Sequence, residues 1–118
     1  MTYALLIYRT LAAAAPGEAQ RDRATLAAHR VLQAQAAAAG ELHLVARLDE
    51  PGTARTVRVG PGAHAVTDGP FIETKEWLVG FYVIDCRTEE EALGRARMLC
   101  PDGSHAVEVR PVTWRRGP

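Results

Sequence analysis

The chain has 118 residues, 47% of them apolar, and its 14 basic side chains balance its 14 acidic ones. That length holds one core and is too short for two ordinary domains, so residues 1–118 are read as a single domain. A formal charge of zero denies the chain the basic surface that nucleic-acid binding needs.

The opening segment "MTYALLIYRT" carries no cationic leader, and no apolar run approaches the roughly 20 residues of a membrane span. Cys86 and Cys100 form neither a disulfide framework nor a metal motif. These features set the expectation of a cytoplasmic protein with reduced thiols and with no nucleic-acid or membrane partner.

In chain order, "TYALLIY" is rich in β-branched and aromatic residues and reads as a first strand. "RTLAAAAPGEA" is a loop punctuated by Pro16-Gly17. The alanine-rich run from about Arg21 to Ala39 is a strong helix former, with Gly40 placed just past its end. "ELHLVARL" reads as a second strand. "TARTVRVG" and "AHAVTDG" form a hairpin around Gly60-Pro61-Gly62.

"WLVGFYVIDC" is a central strand apolar on both faces. Period two puts Val79, Phe81 and Val83 on one face and Leu78, Gly80, Tyr82 and Ile84 on the other. "TEEEALGRARMLC" is the second helix, opened by Thr88 and Glu91 at capping-box spacing and stopped by Pro101. "HAVEVRPV" alternates and closes the chain as a strand.

This order is βαβ, a hairpin, then βαβ. It predicts an α+β ferredoxin-like split βαβ sandwich with an inserted β-hairpin. Helices cover only one face of such a sheet. The other face needs an apolar partner, and a second copy of the same sheet supplies one. The expected assembly is therefore a homodimer joined sheet to sheet as a dimeric α+β barrel.

His29, His43, His64 and His105 are spread without metal-ligand spacing, so no zinc site is expected. His29 lies about 60° around the first helix from Leu32, on the shoulder of a stripe of Ala28, Val31, Leu32 and Ala39. A histidine there can look into a cleft between helix and sheet. Asp68, in "TDGPF", and Asp49, in "RLDEPG", are candidate partners, and both also suit turns. A carboxylate beside His29 would raise its pKa. Cys86, at a strand end between Asp85 and Arg87, reads as a small core residue rather than a nucleophile. No phosphate loop, dinucleotide fingerprint or nucleophile elbow occurs.

"VTDGPFIETKEWLVGFYVID", with "AHRVLQAQAAAAGELHLVARL", "EEALGRARMLC" and "AVEVRPV", resembles the DGPF-domain branch of the YCII-related family across nearly the whole chain. The resemblance implies the ferredoxin-like fold and the sheet-to-sheet dimer. In the wider group it implies a His–Asp pair in a cleft, with one relative acting on chlorinated hydroxyquinone-type compounds. The group's helix histidine corresponds to His29, and Asp68 and Asp49 both remain open as its partner. No cofactor or metal is implied.

The expected function is a small-molecule cleft with acid–base activity carried by His29 and an aspartate, with Phe71 and Lys75 as substrate-binding residues. The alternative is a non-enzymatic ligand-sensing or protein-binding accessory linked to sigma-factor regulation, using the "GPFIETKE" segment as its contact surface.

Overall fold

The structure is a computed structural model that describes residues 1–10, 18–70, 76–101 and 103–117. The elements run β1 (Thr2–Thr10), α1 (Glu18–Ala38), β2 (Leu42–Arg47), β3 (Arg55–Gly60), β4 (Ala63–Asp68), β5 (Glu76–Asp85), α2 (Glu89–Met98) and β6 (His105–Pro111), with a short 3-10 turn at Pro51–Thr53. A four-stranded sheet has the order β2-β5-β1-β6, and every neighbouring pair is antiparallel. β3 and β4 form a separate two-stranded ribbon. Two helices with this sheet are consistent with the ferredoxin-like α+β fold.

Alternation along the strands separates two faces. Tyr3, Leu5 and Ile7 of β1 are buried and sit opposite Ile84, Tyr82 and Gly80 of β5. Leu32 and Ala36 of α1, with Ala92 of α2 and Leu99 just beyond it, close this core. On α1 the buried line runs through Thr25, Leu32 and Ala36, positions separated by whole helical turns. Val31, from the stripe read in the sequence, is 49% exposed.

The opposite face of the sheet carries Ala4, Leu6, Leu44, Phe81 and Val83, which are register neighbours across β1, β5 and β2. None of these five is fully buried.

Simple period two fails in β5. Between Ile7 and Tyr8 the register shifts, so Ile7 pairs with Gly80 and Tyr8 with Leu78, leaving Val79 as the extra residue. Such a bulge reverses which side chains point where. Leu78 therefore joins Tyr8 and leaves the set of Tyr82 and Ile84 in which period two had placed it. Val79 packs against the core instead of sharing a face with Phe81 and Val83. Next to the bulge, Gly80 lies tight against β2. A Cβ at Gly80 would lie 2.5 Å from the Ala46 carbonyl oxygen.

The second helix starts as its sequence dictates. Thr88 is the N-cap, and its hydroxyl accepts from the Glu91 N–H at 3.1 Å. The Glu91 carboxylate answers one residue further out than a reciprocal box would, accepting from the Arg87 N–H at 3.4 Å. Arg95 then fixes α2 to the sheet, donating to Glu41 at 2.7 Å and to the Asp85 carbonyl at 2.7 Å. Gly40, with φ +72°, ends α1 in the left-handed region open to glycine.

The ribbon of β3 and β4 stands away from this body. A compact chain of this length has a radius of gyration near 13–14 Å, whereas this one measures 16.2 Å. Val57, Val59 and Val66 on the ribbon are 62%, 77% and 65% exposed.

Candidate functional site

The polar hydroxyl of Tyr82 lies in an otherwise apolar strand, and a buried phenol needs a partner. Tyr82 is fully buried. His29 Nδ1 lies 2.6 Å from its oxygen, and Gln33 Nε2 donates to the same oxygen at 3.1 Å. Gln33 is four residues beyond His29, so both project from one side of α1. The His29 and Tyr82 rings also stack, with centroids 5.7 Å apart and planes 18° from parallel.

These residues form the inner wall of a cavity of about 890 Å³ between α1, the bulged half of the sheet and the segment after β2. That size suits a small organic ligand. The same cavity is lined by Thr10 and Thr25, by Asp49 and by His105. Thr25 is only 6% exposed, and among the described residues neither the Thr10 nor the Thr25 hydroxyl has a hydrogen-bond partner. Ile7, Val79 and Trp77 supply apolar wall.

Charge in the cavity is mixed. Arg9 pairs with Asp22 at 3.5 Å. Asp49 and Glu50 are exposed, and Asp49 Oδ1 accepts from the Glu50 N–H at 2.8 Å. Arg47 is exposed and has no ion-pair partner among the described residues. His105 Nδ1 meets the Ser104 hydroxyl at 2.8 Å.

Burial pushes the His29 pKa down, and the nearby His105 pushes it the same way. The direction is opposite to that expected of a histidine paired with a carboxylate. Burial raises the Tyr82 pKa, only partly opposed by the Gln33 hydrogen bond, so the phenol stays protonated.

The YCII-related domain model matches residues 1–114. The chain belongs to the YCII-related family. An uncharacterized protein of Rhizobium meliloti (strain 1021), R00369, is 39% identical over 114 residues, covering 95% of this chain and 92% of the relative.

Within this YCII-related chain the residues singled out from sequence are distributed as follows. His29 and Asp49 line one cavity. Asp68 ends β4 on the ribbon and pairs with Arg55, its register partner, at 3.1 Å, with the carboxylate side chain 88% exposed. Next to it Gly69 adopts φ +92°, the turn role that an Asp-Gly pair suggests. Phe71 and Lys75 lie outside the described residues.

Tyr82, Gln33 and the two unpartnered threonines were not anticipated as site residues. The signal available for Tyr82 was its hydroxyl in a strand apolar on both faces. Gln33 was signalled only by its helical spacing from His29.

Among the described residues no group of three or more His, Cys, Asp or Glu is gathered to hold a metal. No helix among them is long and apolar enough to cross a membrane.

Proposed function

We propose that this chain is a small cytoplasmic homodimeric protein of the DGPF branch of its family, whose helix–sheet cavity binds a small molecule and uses His29 to hold or move a proton. Of the two candidate aspartates Asp49 is the one that lines the same cavity as His29, where it is exposed and makes no hydrogen bond to the ring, so its part is toward the ligand. Asp68 already has Arg55 as a partner on the ribbon. The observation that carries this reading is the joint placement of His29 and Tyr82 on one cavity of ligand size.

The homodimer is supported by the uncovered face of Ala4, Leu6, Leu44, Phe81 and Val83. A face of that composition is stabilised by burial against its own copy, at roughly 25 cal/mol per Å² of apolar surface removed from water.

The test is a small-molecule screen read by amide and histidine-ring NMR, in wild type and in His29→Ala. Ligands of the cavity shift the resonances of His29, Tyr82 and Asp49 together and lose affinity in the variant. A screen whose hits all map to the β3–β4 ribbon would reject this reading. It would favour the accessory-protein alternative, which the exposed Val57, Val59 and Val66 support.

A further inference from the structure

We propose that Tyr82, held by Gln33, fixes His29 as the Nε2–H tautomer, and that the cavity consequently receives a small carboxylic acid with an apolar body. This rests on the cavity being a ligand site and adds which chemistry the ligand brings.

The argument is a proton count. A phenol has one hydrogen to give. Gln33 Nε2 donates to the Tyr82 oxygen at 3.1 Å. The Tyr82 hydrogen therefore goes to its other neighbour, His29 Nδ1, at 2.6 Å. Nδ1 is then an acceptor without a proton, and a neutral imidazole must carry its hydrogen on Nε2. Among the described residues Nε2 has no protein partner. Burial first, and then the proximity of His105, lower the His29 pKa and so favour the neutral ring with this one hydrogen.

His29 thus offers its cavity a hydrogen-bond donor. Thr25, a residue more than nine-tenths buried, and Thr10 belong to the same wall, and among the described residues neither of their buried hydroxyls has a hydrogen-bond partner. An unpartnered buried hydroxyl is costly, and a native protein that keeps one commonly has a use for it. Arg47 adds a guanidinium with no ion-pair partner among the described residues. The acids of the cavity do not answer these donors. Asp22 is taken by Arg9, while Asp49 and Glu50 are exposed on the segment after β2.

A carboxylate accepts only, with two oxygens and about four lone-pair positions, which suits this set of donors. The apolar remainder of the wall, with Ile7, Val79 and Trp77, suits a hydrocarbon or aromatic body.

Tyr82 is in this account a positioning residue, because it acts on the ligand through His29. Its signature is the proton position. Long-range proton–nitrogen NMR of 15N-labelled protein, at a pH where the ring is neutral, should show His29 as Nε2–H. Tyr82→Phe, which keeps the ring and removes the hydroxyl, should yield a mixture of the two tautomers. Nδ1–H in the wild type would overturn the assignment, because Gln33 would then be presenting its oxygen and His29 a bare Nε2.

The ligand class is tested with benzoate, cinnamate and hexanoate, each against its primary amide, by the same NMR and by calorimetry. The carboxylates should bind about tenfold more tightly than the amides, the scale of one hydrogen bond to a charged group. They should also raise the His29 pKa. Thr25→Val should weaken the carboxylates several-fold while making the unliganded protein more stable, since it removes a buried hydroxyl that has no partner among the described residues. Amides that bind as well as the acids would overturn the ligand class and leave the cavity reading intact. Failure of every probe at every charge would overturn both.

Discussion

Gly80 and Ala46 stand so close that β5 and β2 could not pair as they do if residue 80 carried a side chain. A Cβ there would lie 2.5 Å from a backbone oxygen, which cannot swing aside as a flexible side chain could. Gly80→Ala should therefore cost about 1–3 kcal/mol, the usual range for overpacking. It should also shift resonances of Val45, Arg47 and Val79 around the cavity. Denaturant unfolding measures the loss. An unchanged midpoint would mean the strands do not approach this closely.

Asp68 and Asp49 should separate under substitution. Asp68 is paired with Arg55 on an exposed ribbon, and exposed ion pairs contribute less than about 1 kcal/mol. Asp68→Ala should leave both stability and ligand binding close to wild type. Asp49→Ala should alter ligand binding, because Asp49 lines the cavity. Reversed behaviour of the two variants would move the proposed carboxylate to the ribbon.

The pH dependence of stability follows from His29. Its folded pKa is lowered by burial first and by His105 second. A histidine of this kind takes its proton more readily when the chain is unfolded. Its contribution to stability is therefore full above the unfolded value of about 6.5. It is lost as pH falls below that value and levels off once pH passes the lowered folded pKa. Urea unfolding between neutral and mildly acid pH should show wild type losing more stability than His29→Gln. Parallel curves for the two proteins would contradict the lowered pKa.

Phe81→Arg should dissociate the proposed dimer. Phe81 lies in the middle of the uncovered face, opposite Leu6 and Ala46. A charge there meets its own copy across a twofold axis, so the penalty appears twice. Light scattering should give a dimer mass for wild type and a monomer mass for the variant. A wild-type monomer at micromolar concentration would remove the dimer from the proposal.

Much of the scaffold was legible because it rests on local chemistry. Thr88 caps a helix through its own hydroxyl, and Gly40 and Gly69 sit at positive φ where a helix and a strand end. The split βαβ order follows from those boundaries. The bulge at Val79 was not legible, because it depends on how β5 meets β1, and no period in β5 alone reports its partner's register. It is also what moves Leu78 to the other face.

Of the candidate site, His29 could be placed on a cleft from helical geometry alone. Its partner could not. A carboxylate is the conspicuous candidate in a sequence, whereas the structure brings His29 to an uncharged phenol. Tyr82 lies 53 positions away, and only the packing of α1 on β5 joins the two. The Tyr82 hydroxyl is the one polar side-chain group among Leu78, Gly80, Tyr82 and Ile84, and what satisfies it is α1.

The place of β1 in the sheet has a consequence for how the chain is made. β1 is an inner strand, yet both its neighbours come late in the sequence: Thr2 pairs with Asp85, and Tyr3 with Pro111. At ribosomal speeds of roughly 5–20 residues per second, the row Tyr3, Leu5 and Ile7 waits on the order of seconds for strands to join it. Before β5 is made, only α1 and the β3–β4 ribbon have locally encoded structure to adopt. The nascent chain thus carries an apolar strand with two open edges until β5 is made and with one until β6 follows, and that interval is when it most needs a chaperone's protection from its own copies.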